Sequence, residues 1–151
     1  MEAVVFTGIQ ASGKSTFYRE RFFHTHVRIS LDLLKTRGRE QTFLRACLAT
    51  GQRFVVDNTN PTAADRAKYV APAKAAGFQV VGYFFATAPG DAIRRNKGRE
   101  GGAVIPVPGI LGTYKRLEEP THAEGFDTLY RVTIVEGGGF EVAEVERGGS
   151  A

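Results

Sequence analysis

Gly8-Ile9-Gln10-Ala11-Ser12-Gly13-Lys14-Ser15, followed by Thr16, is the stretch whose residue types and spacing bear most directly on chemistry. Two glycines with four residues between them, then Lys and Ser, spell the phosphate-binding P-loop pattern. Successive backbone N–H groups of such a loop wrap a polyphosphate, while glycines permit positive φ and close approach. The residues expected to hold ATP are therefore Gly8, Gln10, Ala11, Ser12, Gly13, Lys14, Ser15 and Thr16. Lys14 would reach the β- and γ-phosphates, and the Ser15 hydroxyl would ligate Mg²⁺.

Three further groups have the chemistry to complete a transfer site. Asp57 closes the apolar run Phe54-Val55-Val56, where an acid can hold Mg²⁺ or its water; the alternative is a carboxylate bonding turn amides. Asn58, Thr59 and Asn60 follow it and can hydrogen-bond an acceptor. Asp32 closes a second run, Val27 to Ser30, where a carboxylate can take a hydroxyl proton as general base; the alternative is a plain helix N-cap. Arg94, Arg95, Lys97 and Arg99 crowd one helix end and the glycine-rich loop after it. That segment reads as a lid bringing cations to a transferring phosphoryl group, or as a solvated helix end favoured by the dipole. His24, His26 and His122 show no ligand spacing and read as surface or packing residues. Cys47 has no second cysteine to pair with and reads as core.

Strands and helices must alternate to position these groups. Ala3 to Phe6 is a continuous apolar run, as a strand buried on both faces requires. Thr16 to Phe22 reads as a helix with its N-terminus at the phosphates. Val27 to Ser30 is the second strand, and a short helix runs from Asp32 to about Arg37. Gly38 is expected to break it before a helix over residues 40–50, capped by Gly51. A third strand, Phe54 to Asp57, leads to Asn60-Pro61, read as N-cap and N1 of a helix reaching Ala76. Pro72 should kink or split that helix. Phe78 to Phe85 is the fourth strand, Asp91 to Lys97 and Ile110 to Leu117 are helices, and Thr128 to Val135 with Phe140 to Glu146 form a hairpin across Gly137-Gly138-Gly139. The fold expected is α/β, a parallel sheet in the order 2-3-1-4 with a C-terminal hairpin and helices on both faces. One domain spans residues 1–147, and residues 148–151 form a frayed tail.

Charge is unevenly placed. Residues 1–116 hold 18 Lys and Arg against 8 Asp and Glu, a net of +10; residues 117–151 hold 2 against 8, a net of −6. The basic part carries the P-loop, which suits a polyanionic ligand larger than one nucleotide. A genome biased toward Ala, Gly and Arg would give the same excess. No apolar run is long enough for a membrane span. With one cysteine and a strand starting at residue 3, a cytoplasmic, reduced protein without a leader peptide is expected.

Gly8 to Thr16, then Val56-Asp57-Asn58-Thr59-Asn60-Pro61 with Ala64, Arg66 and Tyr69, Arg95-Asn96 with Arg99, and Glu119-Pro120-Thr121 with Ala123-Glu124-Gly125-Phe126 resemble the kinase module of the polynucleotide kinase/phosphatase family. The likeness runs in order over most of residues 3–135. The resemblance implies ATP-dependent phosphorylation of a 5′-hydroxyl DNA or RNA end, with Asp32 as general base and Arg95 and Arg99 supplied by a lid. The chain departs from the family on the acceptor side. Leu31 stands where animal members carry Arg, and Lys35 stands where the phage member carries Arg. No Asp-x-Asp pair is present for phosphatase chemistry, so a phosphatase or ligase would be a separate partner. A small-molecule kinase acting on a sugar, nucleoside or antibiotic hydroxyl is the alternative, and a nucleotide-binding module without transfer is a third.

Overall fold

The computed structural model describes residues 1–98 and 104–148. In chain order the elements are β1 (Glu2–Thr7), α1 (Lys14–Arg21), β2 (Val27–Ile29), α2 (Leu31–Leu34), α3 (Arg37–Thr50), β3 (Phe54–Val56), α4 (Ala63–Ala75), β4 (Gln79–Phe85), α5 (Pro89–Lys97), α6 (Val107–Arg116), a 3₁₀ turn (His122–Glu124), β5 (Thr128–Ile134) and β6 (Phe140–Glu144). The strands form one sheet in the order β2-β3-β1-β4-β5-β6. Pairing is parallel from β2 through β5, and only β6 runs antiparallel, against β5. The expected order and the hairpin are both present.

Period-2 alternation in β1 explains why the sheet is covered twice. Val4 and Phe6 face one way, into a cluster with Phe17, Tyr18 and Phe22 of the α1 region, Val55, Phe85 and Val132. Ala3 and Val5 face the other, toward Leu44 and Cys47 of α3 and Tyr69, Val70 and Ala73 of α4. Each large apolar side chain so buried contributes about 1.5–3 kcal/mol of transfer free energy. The first cluster is aromatic: Phe17 meets Phe85 edge-on at 5.3 Å and Phe140 at 5.1 Å between ring centroids. Phe140 thus ties the C-terminal hairpin to the helix that follows the P-loop. Cys47 is buried in the second cluster, as expected, and burial pushes its thiol pKa up.

Several local expectations need correction. Gly38 does not break a helix; it lies in the first turn of α3, whose N-cap is Thr36, with the Thr36 side chain accepting from Arg39 N–H. First-turn N–H groups have no intrahelical partner, so glycine there costs little beyond its own flexibility. The interruption falls instead at Lys35, with φ of 75°. Asn60 is not an N-cap: α4 starts two residues after Pro61, and Thr62 with Asp65 forms a reciprocal capping box. Pro72 lies inside α4, which is a single helix through Ala75; the proline removes only its own N–H, near the helix end. The sixth helix starts at Val107, three residues earlier than expected, with Pro106 as its N-cap. No helix among the described residues is long and apolar enough to cross a membrane.

Candidate active site

The loop after β1 is held by contacts it makes with its surroundings. Gly8 N–H donates to Thr59 C=O at 3.0 Å, joining the loop to the turn after β3. A Cβ at Gly8 would lie 2.9 Å from both Phe85 Cβ and Ser12 Oγ, so the tight passage needs glycine. Gly13, immediately before α1, has φ of 92°, and a Cβ there would lie 2.9 Å from the Phe140 ring. Ile9 and Ala11 are buried against Ala92 of α5 and Ile110 of α6. Gln10 Nε2 donates to Thr113 Oγ1 at 3.0 Å, and Arg95 Nε donates to Ala11 C=O at 3.0 Å. The Lys14 ammonium donates to the carbonyls of Gly8 (3.0 Å) and Ile9 (2.7 Å) and to Ser12 Oγ (3.3 Å). Lys14 is 9% exposed, so it supports the loop as well as presenting charge to it.

Ser12, Gly13, Lys14, Ser15 and Thr16 form one wall of a cleft of about 430 Å³ with Gln10 and Ala11. Asp57, Asn58 and Thr59, from beyond the end of β3, form a second wall, and Asp32 of α2 and Arg95 of α5 close it. The cleft therefore lies beyond the carboxyl ends of β1, β2 and β3, where open α/β sheets bind ligands. Ser15 Oγ donates to Asp57 Oδ2 at 3.0 Å. These are two hard oxygens converging beside the P-loop, a fit for Mg²⁺ that keeps water and phosphate ligands of its own. No group of three or more His, Cys, Asp or Glu suited to a metal is found among the described residues.

Asp32 is the second residue of α2, is exposed, and lines this cleft. Ser30, not Asp32, is the N-cap, so the cap alternative does not describe it. What places Asp32 is its neighbour: Leu31 N–H donates to Asn58 Oδ1 at 2.9 Å. The Asn58 amide is fixed in turn, with Nδ2 donating to Glu40 Oε2 at 2.8 Å and to the Tyr69 hydroxyl at 3.3 Å. Glu40 is 2% exposed; its Oε1 also accepts from Tyr69 Oη (2.8 Å) and Arg37 Nη1 (3.1 Å). Burial and the Glu40 carboxylate push the Tyr69 hydroxyl pKa up to about 12. Sequence reasoning passed over Glu40, although residues 40, 44 and 47 share one helix face and the other two are core. It also passed over Arg28, a cation in the middle of β2, which donates to Asp57 Oδ2 and Ser15 Oγ.

Not every expected residue reaches the cleft. Asn60 is buried with φ of 44°, and its Nδ2 donates to Phe6 C=O at 2.8 Å, locking the turn onto β1. Lys35 is exposed and lines no part of the cleft. Of the basic cluster, Arg95 reaches the cleft; Arg94 instead pairs with Asp91 on its own helix. Arg99 and the glycines after it lie outside the described residues. Asn96, just before them, exchanges two hydrogen bonds with Ile105, of 2.6 and 2.7 Å. Arg66, completely buried, makes a two-pronged ion pair with Glu124 at 2.7 and 3.0 Å and donates to Asn60 C=O, so the turn after β3 is also held from below.

A family model described as an AAA domain matches residues 4–108. Among solved structures, the chain is similar to a gluconokinase from Sinorhizobium meliloti 1021, at 18% identity and a TM-score of 0.65, over 89% of this chain and 83% of that one. It is similar to Kti12 of Chaetomium thermophilum in complex with ADP-AlF3, at 18% identity and 0.61, over 87% and 88%. It also aligns with a chain of the AvrRxo1-ORF1:-ORF2 complex with ATP, at 13% identity and 0.71, over 99% of this chain and 60% of that one. The fold is that of the P-loop kinase-like proteins, with a mostly parallel sheet and helices on both faces.

Proposed function

The chain belongs to the AAA domain family, and from that premise we propose that it is an ATP-dependent kinase transferring the γ-phosphoryl group to the 5′-hydroxyl end of a polynucleotide. The observation that carries the kinase reading is one cleft lined at once by Lys14 and Ser15 of the P-loop, by Asp57, by Arg95 and by the exposed carboxylate of Asp32. A bound triphosphate takes the backbone N–H groups of residues 10–16. Ser15 and Asp57 would hold Mg²⁺, which would supply positive charge beside the phosphate oxygens. Asp32 accepts the proton as the acceptor oxygen bonds to the γ-phosphorus and the bond to the β–γ bridging oxygen breaks, releasing ADP. Lys14 and Arg95 offset the charge on the transferring group.

The polynucleotide acceptor is supported by the net of +10 over residues 1–116 and by the resemblance carried by residues 56–61 and 119–126. A small-molecule hydroxyl is the second reading. It is favoured by the similarity to a gluconokinase and by Leu31 and Lys35 at two acceptor-side positions. Labelled ATP offered with 5′-hydroxyl DNA, 5′-hydroxyl RNA, nucleosides and a sugar panel at two salt concentrations separates them. The expected result is label on oligonucleotide, with affinity falling with salt at a log–log slope of about −0.7 per phosphate contacted on a single strand. Label on a small neutral molecule alone, with salt-independent KM, would replace the acceptor and leave the kinase reading standing.

A further inference from the structure

Arg28 is the middle residue of β2, a strand otherwise built to pair with β3. Its guanidinium reaches the two oxygen ligands assigned above. Nε donates to Asp57 Oδ2 at 2.8 Å, and Nη2 donates to Ser15 Oγ at 3.1 Å. The Ser15 hydroxyl donates to that same Asp57 oxygen at 3.0 Å, so the three groups close a triangle. The Asp57 side chain is 2% exposed and that of Arg28 27%. The guanidinium carbon also lies over the Tyr18 ring, 6.0 Å from its centroid, a ring whose hydroxyl is tied to His26 C=O at 2.6 Å.

We propose that Arg28 is a resident cation at the metal position, which compensates Asp57 and orients Ser15 before nucleotide arrives and makes divalent-cation binding depend on the incoming phosphates. This rests on the assignment of Ser15 and Asp57 to the metal. A carboxylate buried to this degree needs a partner, and Arg28 supplies one. A free divalent cation would find one carboxylate and one hydroxyl, both already bonded to a guanidinium of like charge to itself. A cation arriving on a triphosphate brings oxygen ligands and negative charge with it, which offset the repulsion from Arg28. Metal and nucleotide affinities are then coupled, and the coupling is reciprocal. In this account Arg28 is a positioning residue: it acts through Ser15 and Asp57 rather than on the acceptor.

The test is binding of Mn²⁺, used as a paramagnetic probe, to the full chain with and without a non-hydrolysable ATP analogue. Wild type is expected to bind Mn²⁺ weakly alone. Arg28→Gln, which keeps a donor for Asp57 but not the charge, is expected to bind it roughly tenfold more tightly, a change of one logarithmic unit. With the analogue present, the two proteins should agree within about twofold, because the phosphates then offset the charge of Arg28. Arg28→Lys, which keeps the charge, should behave as wild type. Unchanged or weaker Mn²⁺ binding by Arg28→Gln without nucleotide, accompanied by a lower Tm, would reduce Arg28 to a structural ion pair and overturn the proposal. Asp57→Asn separates this from failure of the underlying site: if it leaves Mn²⁺ binding with the analogue intact, the metal assignment itself is wrong. Should Arg28→Gln not fold, the Arg28 Nε–H resonance of wild type decides instead. It should shift when Mg²⁺ and the analogue are added together and hold still with Mg²⁺ alone. A resonance indifferent to both would also overturn the proposal.

Discussion

The two ends of the cleft are built by different means. At the phosphate end the loop itself is one local stretch of backbone N–H groups, two glycines and a lysine whose ammonium braces carbonyls five and six residues away, joined by Asp57, Arg28 and Arg95 from outside it. At the acceptor end no part is local. Asp32 sits on a four-residue helix whose first N–H is held by Asn58, which is held by Glu40 and Tyr69 from α3 and α4. In the kinase reading proposed above, the phosphate end meets a group that does not vary, so backbone suffices. The acceptor end is a relay of side chains across three elements. In such a relay one substitution would move Asp32, the proposed base, relative to the P-loop without touching the P-loop itself.

The sharpest break in the comparison comes from the phosphate end. Lys14→Met keeps the stem that packs in the loop and removes the charge; transfer is expected to fall on the order of 10³-fold, as for loss of one preorganised donor. Because Lys14 also braces the loop, ATP affinity should fall with it. Steady-state kinetics and calorimetry read both, and near-normal turnover would remove the P-loop assignment. Next in size is the support beneath the turn after β3. Arg66→Met leaves Glu124 (14% exposed) without its partner, and about 3–5 kcal/mol of stability should be lost in denaturant titration. A loss below 1 kcal/mol would mean that the turn stands without this pair.

A smaller effect probes the relay itself. Asn58→Leu removes the acceptor of Leu31 N–H and a donor to buried Glu40. The misplaced base should cost roughly 10–100-fold in kcat with ATP affinity retained, the opposite signature to Lys14→Met. Equal loss of ATP binding would show that the two ends are not separable. The smallest effect is alkaline. Tyr69 has a pKa near 10 when unfolded and is raised to about 12 when folded, by burial first and Glu40 second. Its contribution is fully present below about pH 10 and is lost as pH rises toward about 12. Tyr83, also raised to about 12 by burial, titrates over the same range. Tyr69→Phe should therefore remove only its share, about 1–3 kcal/mol of the pH-dependent loss, visible as a shallower fall of Tm above pH 10.

What was legible in the sequence follows the same division. The P-loop pattern, the apolar strands and the position of Asp57 just past β3 all rest on local pattern, and the sheet carries those strands in the order expected. The misread elements differ in whether a competing signal lay nearby. Asn60-Pro61 looks like a helix start, but Thr62-x-x-Asp65 is the box that caps α4, and Asn60 spends its amide on β1. Gly38 looks like a breaker, yet the backbone turns at Lys35, which carries no local mark of positive φ. Apart from Arg37 and Glu40, three positions apart on α3, Arg28, Glu40 and Tyr69 meet their partners across 11 to 32 positions. No window of residues contains such a network, and only the packing of β2, α3 and α4 against the sheet creates it.

The central claim is that Asp32 serves transfer and not nucleotide binding or folding, and Asp32→Asn tests it in a single-turnover experiment with ATP affinity and Tm measured on the same sample. Asp32 is exposed, is not the N-cap of α2 and lines the same cleft as the P-loop. The expected result is a transfer rate lower by roughly 10²–10⁴-fold with ATP affinity and Tm unchanged. A transfer rate near that of wild type, or a loss that tracks a fall in Tm, would contradict the account.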